Sequence, residues 1–187
     1  MCCVVHSSVL SKADVHVHTR YSGFGQYKAI TFPESICRPE DVVDEARRKG
    51  IRVLCITDHN SVLGALRARE YAKRFPDIEV VVGEEITAEE GEIIGLFLFE
   101  EIPPGLTPEE TATRIRDQGG VVIVPHPFDP LRRSPLRTPA LERLVAAGMV
   151  DAIEVLNARM ALRSHNLRGA EFAARHNLPG TAGSDGH

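Results

Sequence analysis

Ala13-Asp14-Val15-His16-Val17-His18-Thr19 is the stretch from which the rest of this chain can be read. Valine and histidine alternate through its centre, so as a strand it sends both imidazoles to one side, close enough to grip one ion. Four later stretches also bring ionisable residues to the end of a strand pattern. They are Ile56-Thr57-Asp58-His59, Val80-Val81-Val82-Gly83-Glu84, Val121-Val122-Ile123-Val124-Pro125-His126 and Gly183-Ser184-Asp185-Gly186-His187. Their apolar runs read as buried parallel strands. In a barrel or open α/β sheet such strand ends gather at one face, where active sites are built. Imidazoles and carboxylates gathered without paired cysteines suit hard or borderline divalent metals, so the pattern predicts a polynuclear metal site.

Between these strands the sequence alternates towards helices. Pro39 suits a first helical turn, Val42, Val43 and Ala46 keep helical spacing, and Gly50 stops it. A helix is expected near 61–75, beginning around Asn60 or Ser61, and Glu89-Glu90-Gly91 reads as a hairpin turn between strands near 78–85 and 92–99. Thr107-Pro108-Glu109-Glu110 has the composition of a capping box, and Gly119-Gly120 ends the helix it opens. Thr138-Pro139 opens another helix, Gly148 stops it, and a strand at 151–156, a helix near 163–176 and a strand around 180–184 complete the series. A long polar loop with Gly23, Gly25 and Pro33 follows the first strand. Seven strands with mostly helical connections favour a closed or nearly closed α/β barrel over a sandwich. We expect an irregular leader over residues 1–12 and one domain over 13–187. The sequence stops directly after the last cluster, from which a truncated barrel lacking its closing segment is expected.

At 187 residues, 43% hydrophobic and 26% charged, the chain has the make-up of an ordinary globular domain with a substantial core. A net charge of −4 gives no bulk attraction to nucleic acid or anionic lipid, although a local basic patch or the ions themselves would hold a phosphate. No apolar run approaches the roughly 20 residues that span a bilayer, and the opening residues lack the basic start of a signal peptide. No membrane association and a cytoplasmic location are therefore expected. Cys2, Cys3, Cys37 and Cys55 form neither a metal-type pair nor a disulfide framework.

In order and content, the five stretches resemble the PHP family, named for polymerase and histidinol phosphatase; the matching pieces include Gly83-Glu84-Glu85-Ile86 and Pro125-His126-Pro127. The resemblance spans nearly the whole chain. It implies a distorted (β/α)7 barrel, two or three divalent ions (zinc, manganese or iron) and hydrolysis of phosphoesters. Carried over position by position, it nominates His16, His18, His59, Glu84, His126, Asp185 and His187 as ligands, with Glu84 bridging two ions. Two positions depart from the pattern. Ser22-Gly23-Phe24-Gly25 offers no acid where many members have one, and Glu92 stands where many have histidine, either replacing that ligand or solvated.

Several neighbours carry two readings. Asp58 is either a ligand or the group that orients one, and Glu154 and Asn157 either hydrogen-bond a ligand or line the pocket. Arg132, Arg133 and Arg159 have the guanidinium forks that suit phosphate oxygens, and each alone also reads as a surface arginine. No serine or cysteine sits in a nucleophile motif, so a metal-activated hydroxide is the expected nucleophile. Either a metal-bound water or one of the acid and histidine groups of the ligand region would protonate the leaving alkoxide, with Asp185 and His187 the nominated catalytic pair. The expected activity is metal-dependent hydrolysis of a phosphomonoester, a small nucleotide or an oligonucleotide end, with a long duplex disfavoured by the acidic balance. The same hydroxide would serve an amidohydrolase-like reaction at an acyl carbon. A third possibility is a scaffold that keeps the fold for a structural or regulatory role.

Overall fold

The computed structural model describes residues 11–27, 30–130 and 135–187. Its first half runs β1 (Lys12–Val17), β2 (Phe24–Tyr27), β3 (Ile30–Pro33), α1 (Pro39–Arg48), β4 (Ile51–Ile56), α2 (Leu63–Ala72) and β5 (Glu79–Ala88). Its second half runs β6 (Gly91–Leu96), α3 (Pro108–Asp117), β7 (Val121–Val124), α4 (Thr138–Ala146), β8 (Ala152–Asn157), α5 (Arg163–Arg175) and β9 (Gly180–Gly183). Seven strands form one sheet in the order β1-β4-β5-β6-β7-β8-β9, and β6 runs against both its neighbours. The two end strands approach each other through one bridge, Val17 to Gly186. The result is a nearly closed barrel with one unsealed seam, the distorted barrel expected.

Two apolar layers follow from strand alternation. Cys55, Val81, Ile94, Leu96, Ile123 and Ala152 pack together with no helical residue among them and so fill the barrel. The alternate strand residues Leu54, Ile56, Val80, Val82, Val122, Val124 and Ile153 pack with helical Val43, Ala65, Ile115, Leu141 and Phe172 outside it. Burial holds the Cys55 thiol in its protonated form, its pKa pushed up to about 12.

The local signals mostly act where expected. Thr107 caps α3, its hydroxyl accepting from the Glu110 N–H at 3.2 Å while Glu110 Oε2 accepts from the Thr107 N–H at 3.1 Å. The α4 helix begins one residue early: Thr138 is already helical, and Arg137 stands in the capping position with no side-chain bond. The polar loop after β1 contains the β2–β3 hairpin, in which Phe24 faces Pro33 and Gly25 faces Phe32. Aromatic and β-branched residues in Phe24–Phe32 outweigh the glycine and proline signals there. Among the described residues no helix is long and apolar enough to cross a membrane.

Candidate metal centre

His16 on β1 and His18 just beyond it lie fully inside the protein, with Nε2 atoms 3.0 Å apart. Glu85 reaches both: its Oε2 lies 3.3 Å from each of these nitrogens and 3.3 Å from His59 Nδ1. Its Oε1 lies 2.9 Å from His126 Nε2. One buried carboxylate thus meets imidazoles from three separate strand ends.

The expectation for Glu84 is corrected here: Glu85, not Glu84, is the acid that lies among the imidazoles. Along β5, Glu84 shares the parity of Val82 and Ile86 and points into the helix-packed layer, where its Oε2 accepts from the Ile102 N–H at 2.9 Å. Burial raises its carboxyl to about 7, against the pull of that N–H. Glu85 shares the parity of inward-facing Val81. The signal was available in the period of two, but Val80-Val81-Val82 is apolar on both faces and hides which parity faces in.

Glu92 is the second acid the structure adds. Because β6 is reversed, its start lies at the rim where the parallel strands end, and Glu92 has the parity of inward-facing Ile94 and Leu96. It is 6% exposed, and its oxygens stand 3.7 Å from His59 Nδ1 and 3.6 Å from His126 Nε2. Asp185 is buried, 3.5 Å from His18 Nε2 and 3.9 Å from His16 Nε2. The His187 ring lies tilted against His18 with centroids 4.1 Å apart, and Arg159 Nη1 reaches His187 Nδ1 at 2.7 Å and Asp185 Oδ1 at 3.3 Å. Arg132 and Arg133 lie outside the described residues.

Supporting groups fix these rings from behind. Asp58 is a support, not a member of the cluster: it accepts from the Thr19 N–H, from Thr19 Oγ1 at 2.7 Å and from Ser22 Oγ at 2.8 Å, and Ser22 Oγ in turn meets His18 Nδ1 at 3.0 Å. Glu154 Oε1 meets His16 Nδ1 at 3.1 Å, while its Oε2 accepts from the His126 N–H at 2.7 Å and from Asn157 Nδ2 at 3.0 Å. Asn157 Nδ2 also donates to Asp185 Oδ2 at 2.9 Å. His126 and Asp185 hold left-handed backbone, with φ of 29° and 51°, kept there by these bonds and by the Asp185 N–H donated to His16 O at 2.8 Å. Such partners tune metal affinity by about 10–100-fold. Ser22→Ala should therefore weaken metal binding by about tenfold, measured by competition with a chromophoric chelator, with the fold intact by circular dichroism.

The electrostatics of the cluster favour a cation. Burial opposes charge on both Glu85 and His16, yet the neighbouring charges prevail. His16 and His59 and the His126 contact hold Glu85 well below the usual carboxylate range, while Glu85 and Glu154 raise His16. Burial lowers His59 to about 4 and His187 to about 3, leaving both rings neutral, the form that ligates metal. Four triads, His16-His18-Asp185, His18-His59-His187, His16-Glu85-His126 and His59-Glu85-Glu92, each bring donor atoms within 4.8 Å of one another. Nitrogen and carboxylate donors packed this way fit divalent ions.

A seven-stranded α/β barrel with a buried histidine–carboxylate centre at its strand ends defines the metal-site barrels as a class. Within that class the chain belongs to the PHP family: residues 14–148 match the PHP domain, and residues 163–187 match a second, PHP-associated segment. It is 46% identical over 147 residues to an uncharacterized protein of Methanocaldococcus jannaschii, covering 79% of this chain and 82% of that one. Among solved structures, a two-domain protein of Bacteroides vulgatus containing a predicted PHP-like metal-dependent phosphoesterase superposes with a TM-score of 0.76 at 23% identity, over 95% of this chain and 52% of that one. An amidohydrolase from Chromobacterium violaceum superposes with a TM-score of 0.70 at 18% identity, over 95% and 88% of the two chains.

Proposed function

We propose that this chain is a metal-dependent phosphoesterase acting on a phosphomonoester, a small nucleotide or an oligonucleotide end. Arg159 carries the choice of phosphate: it is the guanidinium that meets the cluster's own residues, and its side chain is 48% exposed at the edge. A fork of this kind matches phosphoryl oxygens in pairs and offers little to a neutral amide. The phosphoesterase description of the Bacteroides protein agrees with this reading.

His16, His18, His59, Glu85, Glu92, His126, Asp185 and His187 would hold the ions. When bound, divalent ions polarise a phosphoryl oxygen and lower the pKa of a coordinated water. The chain's own residues do the rest. Arg159 binds and turns the phosphoryl group towards the buried donors. Asp185 Oδ1, 3.4 Å from His187 Nδ1, and Arg159 Nη1, 2.7 Å from the same nitrogen, fix that ring at the solvent edge. The closed layer of Val81, Ile94, Leu96 and Ile123 beneath the cluster keeps water from reaching it through the barrel.

Turnover of an aryl phosphate and of nucleoside monophosphates across added manganese, zinc and magnesium tests the reading. Metal-dependent release of phosphate is expected, and Arg159→Ala should raise KM by about 10–100-fold, the value of a charge-assisted hydrogen bond, with metal content unchanged. Protein that holds its metal yet hydrolyses no phosphoester with any of the three would overturn the assignment in favour of an acyl substrate or a scaffold.

A further inference from the structure

We propose that Asn166, on α5 and outside the cluster, is a positioning residue for Arg159: its carboxamide closes the base of the loop that carries the phosphate-binding guanidinium. The proposal rests on the phosphoester reading above and names how its phosphate group is held.

The need for such a residue comes from the sheet. β7 pairs with β8 only through Ile123–Ala152 and Val124–Ile153, and the chain then turns at Pro125 and His126, where φ is 29°. On its other side β8 stays paired with β9 as far as Asn157 and Gly183, and the Ala158 N–H donates to Gly183 O at 3.0 Å. Asn157 is 1% exposed, so its own backbone groups need partners inside the protein. Asn166 supplies both. Its Oδ1 accepts from the Asn157 N–H at 3.0 Å, and its Nδ2 donates to Asn157 O at 3.2 Å. One carboxamide thus offers a donor and an acceptor side by side, as a neighbouring strand would.

Asn157 passes this anchorage on. Its Oδ1 accepts from the Arg159 N–H at 2.9 Å, while its Nδ2 donates to Glu154 Oε2 at 3.0 Å and to Asp185 Oδ2 at 2.9 Å. Residues 158–162 join β8 to α5, and the Asn157–Asn166 pair closes that connection at its base. Arg159 stands inside the closed loop with its side chain 48% exposed. A long exposed side chain gives up rotamer freedom when it grips an anion, and a backbone held beforehand leaves less to be ordered. Among the described residues, both side-chain bonds of Asn166 go to the Asn157 backbone, so it acts on Arg159 only through that residue.

The test is a double-variant cycle on the whole protein, with an aryl phosphate as substrate and whichever of the three metals supports turnover. Asn166→Ala should raise KM about three- to tenfold, the size of one ordinary hydrogen bond, with kcat within about twofold and metal content per chain unchanged. In an Arg159→Ala background the same substitution should change KM no further, because residues acting through one another do not add. A KM loss that adds in full, or a loss confined to kcat or metal content, marks a general structural defect and refutes the positioning role. Hydrogen exchange followed by mass spectrometry gives a readout free of turnover: residues 157–160 should exchange at least about tenfold faster in Asn166→Ala. Unchanged exchange there would also refute it. Asn166→Asp, which keeps the acceptor for the Asn157 N–H, carries the same comparison if the alanine variant does not fold. Wild-type protein that holds metal but hydrolyses no phosphoester sinks the functional reading, and the phosphate role of Asn166 with it; the exchange rates still report whether Asn166 holds the Arg159 segment.

Discussion

Glu85→Gln is expected to weaken metal binding by more than about a hundredfold, whereas Glu84→Gln leaves it within about twofold. Loss of a partner that only supports a ligand already costs about 10–100-fold, and Glu85 is more than a support. Its two oxygens meet His16, His18, His59 and His126 within 3.3 Å, so neutralising it removes the shared anion at the middle of the cluster. Glu84 stands one residue away on the other face of β5, bonded to the Ile102 backbone. The pair is adjacent, chemically identical and equally buried, so the comparison isolates strand parity from composition. Isothermal titration with zinc and with manganese on both variants measures it. Equal losses in the two would overturn the placement of Glu85 as the bridging acid.

Gly183→Ala should cost about 1–3 kcal/mol of stability, the range for overpacking a filled interior, and should weaken metal binding as well. A methyl group there would stand 2.4 Å from His16 Cβ and 2.6 Å from Glu154 Oε1, closer than atoms pack. Either β9 retreats from β1 or His16 leaves the carboxylate that orients it. Both responses fall on the seam, where Val17–Gly186 is the bridge that joins the first and last strands. Gly186→Ala is the control, because its nearest neighbour would be Ser184 Oγ at 3.3 Å. Denaturant unfolding should separate the two variants, and similar midpoints would show that β9 yields without cost.

The strand ends were legible in the sequence because a ligand type follows an apolar run, and His16, His18, His59, His126 and Asp185 all come together where that pattern placed them. What was hidden has specific causes. Glu85 was hidden because its strand is apolar on both faces, so alternation gave no direction. Glu92 was open between ligand and solvated residue because that depends on β6 running backwards, which no local pattern states. The roles of Asp58 and Glu154 depend on hydrogen bonds across 36 and 138 residues, to Ser22 and His16, and contacts at that range leave no periodic trace. The β2–β3 hairpin lay beneath glycine and proline signals that marked a loop. The basic pair Arg132 and Arg133 gains no structural account, so Arg159 alone bears the phosphate assignment.

The seam between β1 and β9 also sets a timetable. His16 and His18 are synthesised well before Asp185 and His187. The Asp185 N–H reaches back to the His16 carbonyl at 2.8 Å, so the centre is stitched between an earlier and a later part of the sequence. A nascent polypeptide can fold the β5–β6 hairpin, with both its acids, while still on the ribosome. His16 and His18 have to wait for Asp185 and His187 until β9 and the residues after it have emerged. Completion of the cluster is thereby tied to the emergence of β9 and the residues that follow it, and a chain interrupted before them carries acids and rings that never meet.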